Sequence, residues 1–258
     1  MKRQDRLAKY EYRRKRKKFL NRLFFILTLT IVIAFALNKA GVFNVVDIKV
    51  KGNERLKSAN VIKASGIKIG ESYFSLSPDT RERDIEKIPL VKSAKVGFNL
   101  KREAVIKVEE RVPKFQVENF LEYYIIDEDM RVIARENSKS ELPMIEDNFK
   151  KFGLGDYLYK DKDKVEFFKQ LIQQSVYENI EDINFQSNNS IFTKDGIQIV
   201  IGDFEDLDYK FRMLEEILKD IEATGKNARR IELDKEDPIV MVDEQTKGNS
   251  EKNLEESQ

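Results

Sequence analysis

The apolar run Leu23–Leu37 (LFFILTLTIVIAFAL), set directly behind a basic block, constrains this chain more than any other feature. A helix needs about 20 residues to cross a hydrocarbon core of about 30 Å. The 15-residue run must therefore draw on its flanks. Phe19 and Leu20 lengthen it on the basic side, where Arg22 snorkels, and Ala40, Val42 and Phe43 lie just beyond the other end. A single spanning helix over residues 23–40 is expected. Before it, residues 1–22 carry 11 Lys and Arg against only Asp5 and Glu11, a balance of +9, while the rest of the chain is −8. The cluster Arg13, Arg14, Lys15, Arg16, Lys17 and Lys18 puts this tail in the cytoplasm by the positive-inside rule, and everything after about Lys39 outside. A cleaved signal peptide competes, because Ala34-Phe35-Ala36 has the small-residue cleavage pattern. That tripeptide lies inside the apolar run, and the region before the run is long, so a retained anchor fits better. The basic tail also suits anionic lipid; nucleic-acid binding is not expected despite the interleaved Tyr10 and Tyr12.

The chain has no His, Cys or Trp. A Ser-His-Asp triad, a Cys nucleophile, a His/Cys zinc site and any disulfide are excluded. Carboxylate, Lys, Tyr, Ser or Thr chemistry remains open in principle. The acidic groupings have simpler explanations. Asp127, Glu128 and Asp129 lack the spacing of a calcium loop and suit a hairpin tip. Asp203, Glu205, Asp206 and Asp208 precede a helix whose dipole favours acids. With no phosphate loop or nucleophile elbow, the expectation is a non-enzyme with no cofactor, no metal and no small-molecule substrate.

Outside the anchor the pattern is mixed. Val46, Ile48 and Val50 alternate as one face of a strand that Gly52-Asn53 ends. A short helix is expected around Ala59–Ala64, and another opens at Ser77-Pro78, with Ser77 as cap and Pro89 as stop. Ala94, Val96 and Phe98, then Ala104, Ile106 and Val108, mark two strands joined by a turn over 99–103. The order in residues 43–112 is β-α-α-β-β, a small sheet covered on one face. Residues 113–244 read as a mixed β domain with packed helices. One helix is expected over about Lys164–Tyr177, a type I′ hairpin at Asp195-Gly196, and an amphipathic helix at Leu207, Phe211, Leu214, Leu218 and Ile221. Ile231–Leu233 and Ile239–Val242 read as closing strands, and residues 245–258 as a disordered acidic tail. The fold class is α+β.

This arrangement resembles the FtsQ/DivIB family of bacterial cell-division proteins. The residues that carry the likeness are Phe43-Asn44-Val45 leading to Ile48–Asn53, then Ile88-Pro89-Leu90-Val91-Lys92-Ser93-Ala94-Lys95-Val96, and Ile106–Pro113. Gly196–Gly202 with the following Lys210 is similar to the strand, glycine and helix of the family's second domain. Two places depart from the family pattern. Leu100-Lys101-Arg102-Glu103 lacks a proline often found in that turn, and Ile231–Lys235 lacks an arginine common in the late strand.

The resemblance implies a POTRA domain over 43–112. It also implies a non-enzymatic, single-pass protein of the cytoplasmic membrane at the division septum. Such a protein would link FtsB/DivIC- and FtsL-type bitopic partners and help control septal peptidoglycan synthesis. Strand edges would receive them. The candidate contact residues are Val96 and Phe98 on the POTRA edge 92–99, and Ile231, Leu233, Ile239 and Met241 on the closing strands. A POTRA-bearing accessory of extracytoplasmic protein transport is the alternative. A carboxylate enzyme would need converging acids, and a lipid-binding sensor a cavity.

Overall fold

The computed structural model describes residues 2–186, 188–235 and 237–242, with side chains from residue 16 onward. The tail expected over 245–258 lies outside the described residues. The chain divides into two compact units, Met1–Glu110 and Arg111–Gln258.

The first unit opens with helix α1 (Lys2–Lys39), and its Arg16–Lys39 stretch is long and apolar enough to cross a membrane. Its 24 residues span about 36 Å at 1.5 Å per residue. None of the apolar stretch is buried, so its outer surface is a sleeve of Leu, Ile and Phe side chains. The two hydroxyls within it are internally satisfied: Thr28 donates to the carbonyls of Phe24 and Phe25, and Thr30 to that of Ile26.

Beyond the anchor come β1 (Asp47–Lys51), α2 (Ser58–Ser65), α3 (Pro78–Glu86), β2 (Val91–Phe98) and β3 (Glu103–Glu110). The sheet order is β1-β3-β2, with β1 parallel and β2 antiparallel to β3. The alternating residues of β2 and β3 do face inward: Ala94, Val96, Ala104, Ile106 and Val108 are buried with Val61 and Ile85 from the helices. At the start of β1 the buried valine is Val45, while Val46 is 42% exposed, because the regular strand begins only at Asp47. Ser77 occupies the cap position of α3, yet its backbone is left-handed (φ 47°) and its side chain caps nothing; Pro78 at the first helical position does fit. The turn after β1 is held by Glu110, whose carboxylate accepts the backbone N–H groups of Glu54, Arg55 and Leu56.

The second unit holds β4 (Phe115–Asn119), β5 (Glu122–Ile126), β6 (Val132–Glu136), β7 (Met144–Glu146), α4 (Lys162–Leu171), β8 (Ile180–Asn184), β9 (Ser190–Thr193), β10 (Gln198–Val200), α5 (Leu207–Thr224), β11 (Ala228–Glu232) and β12 (Ile239–Val242). Among the described residues these strands form one sheet in the order β12-β11-β10-β9-β8-β7-β4-β5-β6. It is mixed: β4/β7, β7/β8 and β10/β11 are parallel pairs. An aromatic core of Phe115, Phe167, Phe168, Tyr159 and Phe211 fills the space between this sheet and helices α4 and α5.

Two local expectations are corrected. The helix expected to reach Tyr177 stops at Leu171, and a separate 3-10 turn covers Ser175–Asn179; burying Val176 and Tyr177 in the core does not require one continuous helix. At Asp195-Gly196 only the glycine has positive φ (83°), with Gly196 N–H donating to the Thr193 carbonyl and Thr193 N–H to that of Ile197. That is a three-residue loop closed by a left-handed glycine, not a two-residue type I′ turn.

Candidate partner-binding edges

Two sheet edges matter for a chain expected to bind other chains by strand addition. In the first unit β2 is an outer strand. Its side chains do not offer the candidate residues to a partner. Val96 is 7% exposed in the core, and Phe98 is half-buried with its ring stacked on Tyr73 at 4.8 Å. Two of its outward backbone donors are also engaged. Glu86 of α3 accepts the Ala94 N–H at 3.1 Å, and Glu82 accepts the Val96 N–H at 2.9 Å. The Val96 N–H, aided by the Lys95 ammonium, holds the Glu82 carboxyl below its usual range despite partial desolvation. A strand edge covered by helix carboxylates is a guarded edge.

The other edge is β12. It pairs antiparallel with β11, and no described strand pairs with its outer side. Its four side chains are all exposed, Ile239 43%, Val240 37%, Met241 46% and Val242 45%, although each is apolar. Val240 and Val242 line a groove of about 420 Å³ together with Met213, Ile217 and Ile221 of α5, with Glu216, Asp220 and Lys226 at its rim. Ile239 and Met241 project to the opposite face by strand alternation.

The late candidate residues thus separate. Ile239 and Met241 lie on the outer strand. Ile231 is fully buried, and its strand β11 is paired on both sides, with Ile199 and Val240 as its neighbours. Leu233 is also core, 3% exposed, and its N–H donates to the Val200 carbonyl. These two position the outer strand and do not present an edge themselves.

Behind β12 the register is fixed at the junction of β10 and α5. Lys210 reaches from α5 to the carbonyls of Ile201 and Asp203, 3.1 and 2.9 Å away, and to the Asp203 carboxylate at 2.6 Å. Gly202 (φ 73°) passes so close to Asp234 that an added Cβ would meet that residue's Cβ at 2.5 Å. Gly202 and Lys210 thus set the approach of β10 to the chain leaving β11. Of the acids near this junction, Asp203 also accepts the Glu205 N–H, whereas Asp206, at the cap position of α5, makes no side-chain cap bond. Asp127 is likewise structural. It is buried, pairs with Arg111 and accepts the N–H groups of Asp129 and Arg131.

Residues 43–111 match the family described as POTRA domain, FtsQ-type. The cell division protein DivIB of Clostridium tetani is 28% identical over 231 residues, an alignment covering 85% of this chain and 86% of the relative, and so both units. Together these matches support the FtsQ/DivIB family. Another DivIB, from Clostridium acetobutylicum, is 26% identical over 140 residues, covering 53% of this chain and 56% of the relative. An α+β chain with an N-terminal apolar helix, a POTRA domain and a large second sheet agrees with the fold class expected for the family.

Proposed function

We propose that this chain acts in cell division as a single-pass scaffold of the division machinery, with its N-terminus in the cytoplasm and both folded units outside, placed at the septum. There it links FtsB/DivIC- and FtsL-type bitopic proteins and so helps control septal peptidoglycan synthesis, without catalysis of its own. The observation that carries this reading is β12, an outer strand with four exposed apolar side chains beside an apolar groove. A partner strand added there gains backbone hydrogen bonds, while alternate side chains reach the groove. The guarded state of β2 favours β12 over the POTRA edge as the first docking place. The +9 tail against a −8 remainder supports the orientation.

Neighbouring residues of a strand point their N–H groups in opposite directions, so a proline at Val240 or at Met241 removes a donor from opposite sides of β12. The test is co-purification of FtsB/DivIC-type partners with full-length protein carrying Val240→Pro or Met241→Pro, each with a melting curve. One variant is expected to lose its partner while keeping the wild-type melting temperature, because only the outer donor is gone. Full binding by both folded variants would rule out strand addition at β12.

A further inference from the structure

The tightest turn of the second unit is made by unsuitable residues. Phe120 and Leu121 alone join β4 to β5, between the paired Asn119 and Glu122, and both have left-handed φ, 50° and 64°. That backbone favours Asn-Gly, and bulky side chains in it are strained. No burial within the chain compensates, since Phe120 is 94% and Leu121 84% exposed. Strain combined with an exposed apolar tip points to a contact made outside the chain.

A matching acceptor lies beside this tip. Tyr124, on β5, packs its ring against Phe152 at 5.0 Å, and Phe152 with Phe149 and Tyr157 lines a cleft of about 760 Å³ formed by residues 147–160 and Lys164. Lys150, Lys151 and Lys160 also line it, and none of the three has an ion pair among the described residues. Lys164 is committed to Asp147 at 2.9 Å. The tip has the opposite sign: exposed Glu118 precedes it, and Glu122 follows it, facing Arg135 at 3.3 Å.

We propose that the Phe120-Leu121 tip docks in the 147–160 cleft of a second copy of this chain, with Glu118 meeting the cleft's lysines. Finger and cleft lie side by side on one unit, so a two-fold exchange fills both at once and closes as a dimer. Insertion into a bilayer is the poorer match, because the flanking carboxylates would enter the membrane with the tip.

The absence of native cysteine makes cross-linking clean. Full-length Phe120→Cys and Lys151→Cys proteins, carrying different tags and co-expressed in membranes, are treated with a short bismaleimide. A heterodimer band is expected, while Leu100→Cys paired with Lys151→Cys, using the exposed turn of the first unit, gives none. A Phe120–Lys151 yield no higher than this control overturns the proposal. The double variant Phe120→Asn, Leu121→Gly supplies the residues the turn favours; it is expected to melt higher than wild type and to lose co-purification of the two tagged copies. Retained self-association in that variant overturns the proposal, as does quenching of a dye at Phe120→Cys by lipid-borne quenchers.

Discussion

Val96 gives its side chain to the POTRA core and its N–H to the Glu82 carboxylate at 2.9 Å, so one residue ties the hydrophobic face of β2 to the helix that covers its edge. The hydrogen bond is charge-assisted and worth roughly 1.5–3 kcal/mol. Glu82→Ala is expected to destabilise the first unit by about that amount near neutral pH. The folded carboxyl sits below its ordinary value of 4.5. Its contribution is therefore complete above the unfolded value and is lost as pH falls through the folded one. Melting curves of wild type and variant from pH 7 down to below pH 4 should converge on acidification; a gap independent of pH would remove the carboxylate from the explanation.

Val96→Asp places an unpaired carboxylate in the same core and is expected to cost several kcal/mol, roughly 3 or more. Lys95, whose side chain is 77% exposed, gives up only an exposed partner of Glu82 when truncated. Lys95→Ala should therefore change stability by under about 1 kcal/mol. Comparable losses in the two variants, measured by chemical denaturation, would mean the faces are assigned the wrong way round.

Gly52 follows β1 with φ 80°, and a Cβ there would sit 2.1 Å from the Val108 carbonyl oxygen. Gly70 has φ 90° and open space around it. Gly52→Ala should thus be severely destabilising, because backbone on the neighbouring strand must move, whereas Gly70→Ala bears only the cost of its conformation, about 1–2 kcal/mol. Thermal melts of the two variants check the contrast, and equal shifts would leave close approach out of it.

Orientation is checked with introduced cysteines. Ser138→Cys lies in an exposed stretch after β6 and is expected to react with an impermeant maleimide in intact cells. Gln4→Cys, in the basic tail, should react only after lysis. The reverse pattern would reverse the topology, and a mature protein beginning near Leu37 would make the apolar run a signal peptide.

What was readable beforehand follows from how local each signal is. The inward faces of β2 and β3 and the 4-3-4-3 spacing from Leu207 to Ile221 are written in neighbouring residues, and burial of Ala94, Val96, Ile106, Phe211 and Leu214 follows that periodicity. The turn at Phe120-Leu121 carries no glycine or asparagine at its two central positions, so composition gave no hint of it. Ile231 and Ile239 look alike as short apolar runs, yet one strand is interior and the other outermost. Edge position depends on the order of the whole sheet, which no local pattern contains. The guarding of β2 was invisible for the same reason: Glu82 and Glu86 read as ordinary helix-surface acids until α3 is laid beside the strand.

The parallel pairing of β1 with β3 has a mechanical consequence. The chain arrives from the membrane helix at the Asp47 end of β1 and leaves the first unit at the Glu110 end of β3, with Asp47 opposite Glu103 and Lys51 opposite Lys107. Tension between the anchor and the second unit thus enters and leaves at opposite ends of adjoining parallel strands. The load falls on the ladder in shear, shared by all its hydrogen bonds together, instead of opening them one at a time like a zipper. The first unit is thereby a coupling that resists being pulled apart along its own axis.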